Sequence, residues 1–343
     1  MKLILDAMGG DHAPKVPIAA GVRAAKELGM EIVLVGQQDV ICRELEKCTY
    51  PQEKISIVHA DEVITNYDEP AKAVRAKKNA SVVVAGRLLK EGKGDAMLSM
   101  GNTGALLACG LLVVGRIRGI HRPALATALP TKKGPKLLID AGANTNCRGF
   151  NLVQFAQMGS IYMHNVLDID TPAVGLISNG EEQGKGDGLT KEAYPLLQEA
   201  DLHFIGNIEG RDVMLGTADV MVCDGFVGNV VLKTIEGMGS MISGMVKDLF
   251  FENCITKIGA LFVQKGLKKF KQKMDYREYG GAPLLGVKKP VIKGHGSSDV
   301  KAAYSAILQA KKFVETGLIQ KIESSVMANA QDVQEDERGC KDE

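Results

Sequence analysis

Six short glycine-rich stretches hold most of the polar side chains in this sequence that could handle an anion. They are Gly9-Gly10-Asp11, Gly101-Asn102-Thr103-Gly104, Ala141–Asn144 behind Asp140, Asn179–Gly188 with Lys185, Asp224-Gly225-Phe-Val-Gly228-Asn229, and Gly294-His295-Gly-Ser297-Ser298-Asp299. Glycine lets backbone N–H groups come close to a ligand, and a helix that starts behind such a loop adds unpaired N–H groups and a positive dipole end. Phosphate is the ligand such loops suit. Any one of them alone is equally an ordinary strand-to-helix turn. The side chains point the same way: His295, exposed between two glycines, suits proton transfer or phosphate binding. Ser297 and Ser298 offer hydroxyl and N–H donors, which is compatible with capping a helix that starts near Asp299. Asp6, Asp11, Asp140 and Asp224 would repel phosphate, so bracing loops or orienting cations is their expected work.

The common nucleotide and hydrolase signatures are missing. Gly180-Glu-Glu-Gln-Gly184-Lys185-Gly186 is one residue short of a Walker A loop and has no Ser or Thr after its lysine. No G-x-G-x-x-G follows the first apolar run, and no G-x-S-x-G occurs. Seven cysteines without a C-x-x-C, and six histidines without metal-ligand spacing, support neither a disulfide framework nor a zinc site.

The elements that must position these loops follow from hydrophobic period. Short apolar runs, expected as strands, lie at 3–6, 31–35, 54–58, 96–99, 136–140, 174–178, 203–205 and 220–223. Helix-period stretches fall at 16–28, 70–78, 81–90, 104–114, 152–166 and 189–199. Strands alternating with helices of this length predict a three-layer α/β/α fold on a mostly parallel sheet. Ligands in such folds bind beyond the carboxyl ends of the strands, where the glycine loops fall. Residues 227–275 break the pattern and read as long helices with an apolar stripe, expected to be core or dimer interface, ending in the basic run Lys265–Lys273. One catalytic unit over 1–330 and an acidic tail over 331–343 complete the expected organisation.

Composition narrows the function. Forty-two Lys and Arg against 41 Asp and Glu leave a net charge of +1, too little to drive indiscriminate binding to nucleic acid or anionic lipid. Glycine is in excess, at 39 of 343 residues, while tryptophan is absent. No run is long enough to span a bilayer and no leader is evident, so a cytoplasmic protein with reduced thiols is expected.

The blocks LDAMGGDHAP (5–14), SMGNTGAL (99–106), GRIRGIHRPALA (115–126), DGFVGN and KGHGSSD resemble, in order, the bacterial acyl-acyl carrier protein:phosphate acyltransferases. The resemblance runs from residue 1 to about 325 and implies transfer of a fatty acyl group from a carrier thioester to inorganic phosphate. It also implies an isocitrate/isopropylmalate dehydrogenase-like or phosphotransacetylase-like fold, a homodimer, loose contact with the inner membrane face and with a downstream membrane acyltransferase, and no metal or cofactor. Phosphate is already anionic, so the enzyme needs to hold it, orient it and stabilise an oxyanion. On this reading Lys185 would neutralise phosphate or the carrier's pantetheine end, and Asn229 would donate to the oxyanion. His295 and Ser297 complete the catalytic set. Gly9, Gly10, Asp11, Gly101, Asn102, Thr103, Gly104, Asn144, Asp224, Gly225, Gly228 and Ser298 would form the substrate site. Lys265, Lys268, Lys269, Lys271 and Lys273 would dock the acidic carrier. Two other classes compete. A dehydrogenase of the isopropylmalate type would need an aspartate cluster and a nicotinamide pocket, and a non-catalytic membrane scaffold would have no use for so many glycine loops.

Overall fold

The alternation of buried side chains along the first strand already requires cover on both faces of the sheet. Leu3 and Leu5 of β1 (Lys2–Asp6) pack with α1 (Lys15–Leu28) and the C-terminal helix Val300–Glu315. Ile4, pointing the other way, packs with α4 (Ser81–Lys90) and α5 (Thr103–Cys109). The computed structural model describes residues 1–326 apart from 254–255, 257–258, 260–261 and 267–279. Within these residues the fold is α/β, with helices on both faces of one eleven-stranded sheet. Lys268, Lys269, Lys271, Lys273 and the tail 331–343 lie outside the described residues.

All eight expected strands are present, within a few residues at their ends: β1, β2 (Glu31–Gly36), β3 (Ile55–His59), β4 (Ala96–Ser99), β6 (Gly134–Ile139), β7 (Val174–Ser178), β8 (Phe204–Glu209) and β9 (Val220–Val222). Three strands had no clear signal in the sequence: β5 (Ala124–Thr131), β10 (Ala282–Leu285) and β11 (Val291–Lys293). The first is rich in alanine and contains Pro130; the other two are four and three residues long.

These three strands decide the topology. The sheet order is β3-β2-β1-β4-β11-β10-β5-β6-β9-β7-β8, and seven of its ten pairings are parallel. The antiparallel pairings, β11 with β10, β10 with β5 and β5 with β6, sit together at the centre. Three successive reversals leave β6, β7, β8 and β9 running opposite to β1–β4 and β11. The carboxyl ends of the two sets therefore lie at opposite edges of the sheet. The glycine loops do not all converge, as the simple parallel picture expected.

The long helix expected from residue 227 is α9 (Gly225–Phe251), 27 residues and about 40 Å long at 1.5 Å per residue. Asp224 caps it, accepting the Val227 N–H at 2.9 Å. Gly225 and Gly228 are its buried residues, and they press the helix start against the end of β6. Further along, Met238, Met241, Met245 and Leu249 are each more than half exposed. No described helix is long and apolar enough to cross a membrane.

Candidate active site

Two buried carboxylates organise the loops at the two sheet edges, and they take up many of the backbone donors that were candidates for phosphate. Asp6 accepts the Met8 N–H at 3.1 Å and the Ser99 hydroxyl at 2.6 Å, and Ser99 Oγ in turn accepts the Gly101 N–H at 3.1 Å. Burial pushes the Asp6 carboxyl above its ordinary value, and these donors oppose the push. The two loops touch so closely that a Cβ on Gly9 would stand 2.6 Å from the Gly101 nitrogen. Asp140 is buried likewise and accepts N–H groups from Leu125, Gly142, Ala143 and Asn144 at 2.7 to 3.3 Å. The Asn144 side chain donates to Asp140 at 2.8 Å and to the Pro123 carbonyl at 2.7 Å, so it is a brace.

The edge formed by β1, β4 and β11 opens into a cleft of about 610 Å³, within the usual range of small-molecule sites. Gly9, Gly10, Asp11, Gly101, Asn102, Thr103, Asn229, His295 and Ser297 all line it. Asn102 contributes backbone more than side chain: its Oδ1 caps α5 by accepting the Ala105 N–H at 2.9 Å, and its Nδ2 faces Thr65 and Asn66. Leu125, Thr127 and Ala128 of β5, with Ala141, Leu232 and Ala282, form a largely apolar wall of the same cleft.

Other candidates lie elsewhere. Lys185 is exposed in the loop after β7, and no residue of Asn179–Gly188 lines the cleft, although Ala141 after β6 and Asn229 after β9 do. Gly104 packs on Pro70, Asn144 braces Asp140, Asp224 caps α9, and Gly225 and Gly228 are packed against the 140–144 backbone. Ser298 is buried with its N–H on the His295 carbonyl at 3.1 Å. The cap of the C-terminal helix is Asp299, which accepts the Ala302 N–H at 2.8 Å. Lys265 is exposed.

Three charged residues of the cleft escaped the sequence reading: Lys233, Glu236 and Lys293. The first two follow Asn229 by four and seven positions, a helical spacing that puts them on its face of α9. Lys293 is the last residue of β11, and its Nζ donates to the carbonyls of Gly294 and Met100. Burial pulls its ammonium down to about 8; Lys233 adds to this, while Asp11 and Asp6 oppose it. Burial pushes the Cys109 and Cys147 thiols up to about 12, so neither offers a thiolate nucleophile.

A family model described as "Fatty acid synthesis protein" matches residues 1–321. A phosphate acyltransferase of Alkaliphilus oremlandii is 52% identical over 332 residues, covering 97% of this chain and 99% of its own. One from Thermoanaerobacterium thermosaccharolyticum is 50% identical over 334 residues, with 97% and 99% covered. This chain belongs to the phosphate acyltransferase family. Among solved structures, a phosphotransacetylase from Streptococcus pyogenes superposes with a TM-score of 0.60 at 17% identity, over 92% of this chain and 94% of its own. At that identity the likeness is one of fold alone. At 92% coverage it takes in most of the sheet of this phosphate acyltransferase family member.

Proposed function

We propose that the cleft transfers a fatty acyl group from the thioester of acyl carrier protein to inorganic phosphate. The products are the free carrier thiol and an acyl phosphate, the activated acyl group used in phospholipid synthesis. The chain is an acyltransferase; its half-identical relatives carry that name over nearly their whole length. The observation that carries the site assignment is the division of the cleft into a polar end beside the glycine loops, where Lys233 and Lys293 lie with Asp11 and Glu236, and a largely apolar wall on β5. Phosphate fits the first, beside Gly10, Thr103, Lys293 and Ser297, and the acyl group lies along the second. A phosphate oxygen attacks the carbonyl carbon, and Asn229 donates to the oxyanion. The intermediate then collapses with cleavage of the C–S bond. Lys293 gives its proton to the departing thiolate. Lys185 does not line this cleft, and on this reading it faces the carrier's pantetheine end and not the phosphate.

Phosphate-dependent release of carrier thiol from acyl carrier protein is the direct test, and thiol release that does not require phosphate would overturn the reading. Asn229→Ala is expected to lower kcat on the order of 10²-fold with an unchanged melting temperature. Near-normal turnover in that variant would remove Asn229 from the oxyanion site.

The finer assignments belong to the same proposal. A catalytic unit over 1–330 with the isocitrate/isopropylmalate dehydrogenase-like arrangement is supported by the two opposed sheet halves flanking the cleft. The dehydrogenase alternative is not favoured, because the half-identical relatives are acyltransferases by name. A homodimer and peripheral contact with the inner membrane face are supported by the exposed apolar residues of α9. Carrier docking on the basic run from Lys265 predicts that charge reversal at Lys265 and Lys268 raises KM for the carrier on the order of tenfold, with kcat kept. An unchanged KM would take those lysines out of the docking surface.

A further inference from the structure

His295 is held at both ring nitrogens. Its Nδ1 accepts the Ser297 N–H at 3.2 Å and lies 3.0 Å from the Ser297 hydroxyl. Its Nε2 lies 3.5 Å from Oε1 of Glu236, on α9. A ring nitrogen that accepts a backbone N–H presents a lone pair, so in the neutral ring the proton belongs on Nε2, facing the carboxylate. The other oxygen of Glu236 holds the Lys233 ammonium at 2.7 Å. Burial raises the Glu236 carboxyl, but the contacts from His295 and Lys233 outweigh it, so the side chain stays ionised although only 15% exposed. Among the described residues, the other charges lining this part of the cleft are Lys293, two residues before the imidazole, and Asp11, whose carboxylate oxygens lie 3.5 Å from where a Gly296 Cβ would stand.

We propose that Glu236 is a positioning residue for His295, fixing the Nε2-protonated tautomer and aiming Nδ1 at Ser297, so that the Ser297 hydroxyl can relay the proton of the attacking phosphate. The inference rests on the acyl-to-phosphate reading above. In the step, the phosphate hydroxyl proton passes to Ser297 Oγ as the Ser297 proton passes to Nδ1. The electron pair left on the phosphate oxygen forms the new C–O bond, and the carboxylate of Glu236 faces the imidazolium that results. The arrangement has the logic of an acid–histidine–serine relay, with serine conducting a proton and forming no acyl bond.

The test uses the full chain with Glu236→Gln and Glu236→Asp, each in wild-type and His295→Gln backgrounds. Carrier-thiol release gives kcat and KM, and ¹⁵N spectra of histidine-labelled protein report the tautomer. Glu236→Gln is expected to lower kcat on the order of tenfold with little change in KM for phosphate, and Glu236→Asp to recover part of the loss. In the His295→Gln background the glutamine substitution should cost nothing further. The wild-type spectrum should show His295 protonated on Nε2 alone, and the glutamine variant a mixture of tautomers. Equal losses in both backgrounds, or an unchanged tautomer spectrum, would overturn the proposal. Should the wild type release no thiol in response to phosphate, the acyl-transfer reading fails, and the spectra still decide whether Glu236 sets the tautomer.

Discussion

Replacing Gly228 with alanine is expected to destabilise the protein by about 3 kcal/mol or more, lowering its melting temperature by several degrees. Helix propensity alone predicts the opposite, since alanine is favoured over glycine inside a helix by about 1 kcal/mol. What reverses the sign is the neighbour. A Cβ at position 228 would stand 1.8 Å from the Asp140 carbonyl oxygen and 3.1 Å from the Cys223 sulfur. The obstacle is backbone, held in turn by the hydrogen bonds that Asp140 receives, so it cannot swing aside as a side chain would. Gly237, two and a half turns further along α9, has open space where its Cβ would be. Gly237→Ala is therefore the control and is expected to stabilise by up to about 1 kcal/mol. Calorimetric melting of the two variants checks the contrast, and equal shifts would refute the close approach of α9 to β6. The same displacement would move Asn229, Lys233 and Glu236, so Gly228→Ala should also lose activity below its melting range.

Lys293→Met is expected to lower kcat on the order of 10²-fold or more while the fold persists. The ammonium, pulled down to about 8 by burial, lies close to the ~8.5 of an ordinary thiol. A donor and acceptor so matched exchange a proton with little free-energy cost in either direction. The sign of the pH dependence follows. The proton is on Lys293 below about 8 and is lost above it, so the rate should fall as pH rises through that value. Lys293→Arg keeps its charge through that range and should abolish the alkaline limb, at a lower plateau because guanidinium is a poor proton donor. Steady-state turnover from pH 6.5 to 9.5 measures both effects, with wild-type protein controlling for titration of phosphate. A methionine variant with ordinary turnover, or an alkaline limb that survives in the arginine variant, would exclude Lys293 as the donor.

Much of the cleft was legible before any geometry. Gly9, Gly10, Gly101, Asn229, His295 and Ser297 all carried a local signal, because a tight turn behind a strand needs particular residue types. The charged residues that complete the cleft carried weaker signals. Lys233 and Glu236 lie on a helix in ordinary polar spacing, which is also what a solvated face looks like. Lys293 ends a three-residue strand and resembles any strand-end lysine until its burial is known. Conversely, Gly225 and Gly228 stood out by type for a reason unrelated to ligand: they allow α9 to lie directly on the 140–144 backbone.

From the residues alone came the class of the fold, the eight strands with strong apolar runs, and the glycine loops at their ends. These depend on period and turn chemistry, which are local. Only the tertiary structure determined which loops meet. The reversal runs through β10 and β5, whose sequences are short, or rich in alanine, and whose pairing partners are distant along the chain. Pairing across such distances is decided by burial and register between segments, which no single stretch of sequence contains. Packing of α9 over the cleft brings Asn229 and Glu236 to the loop of Lys293 and His295, while Lys185 stays outside its lining.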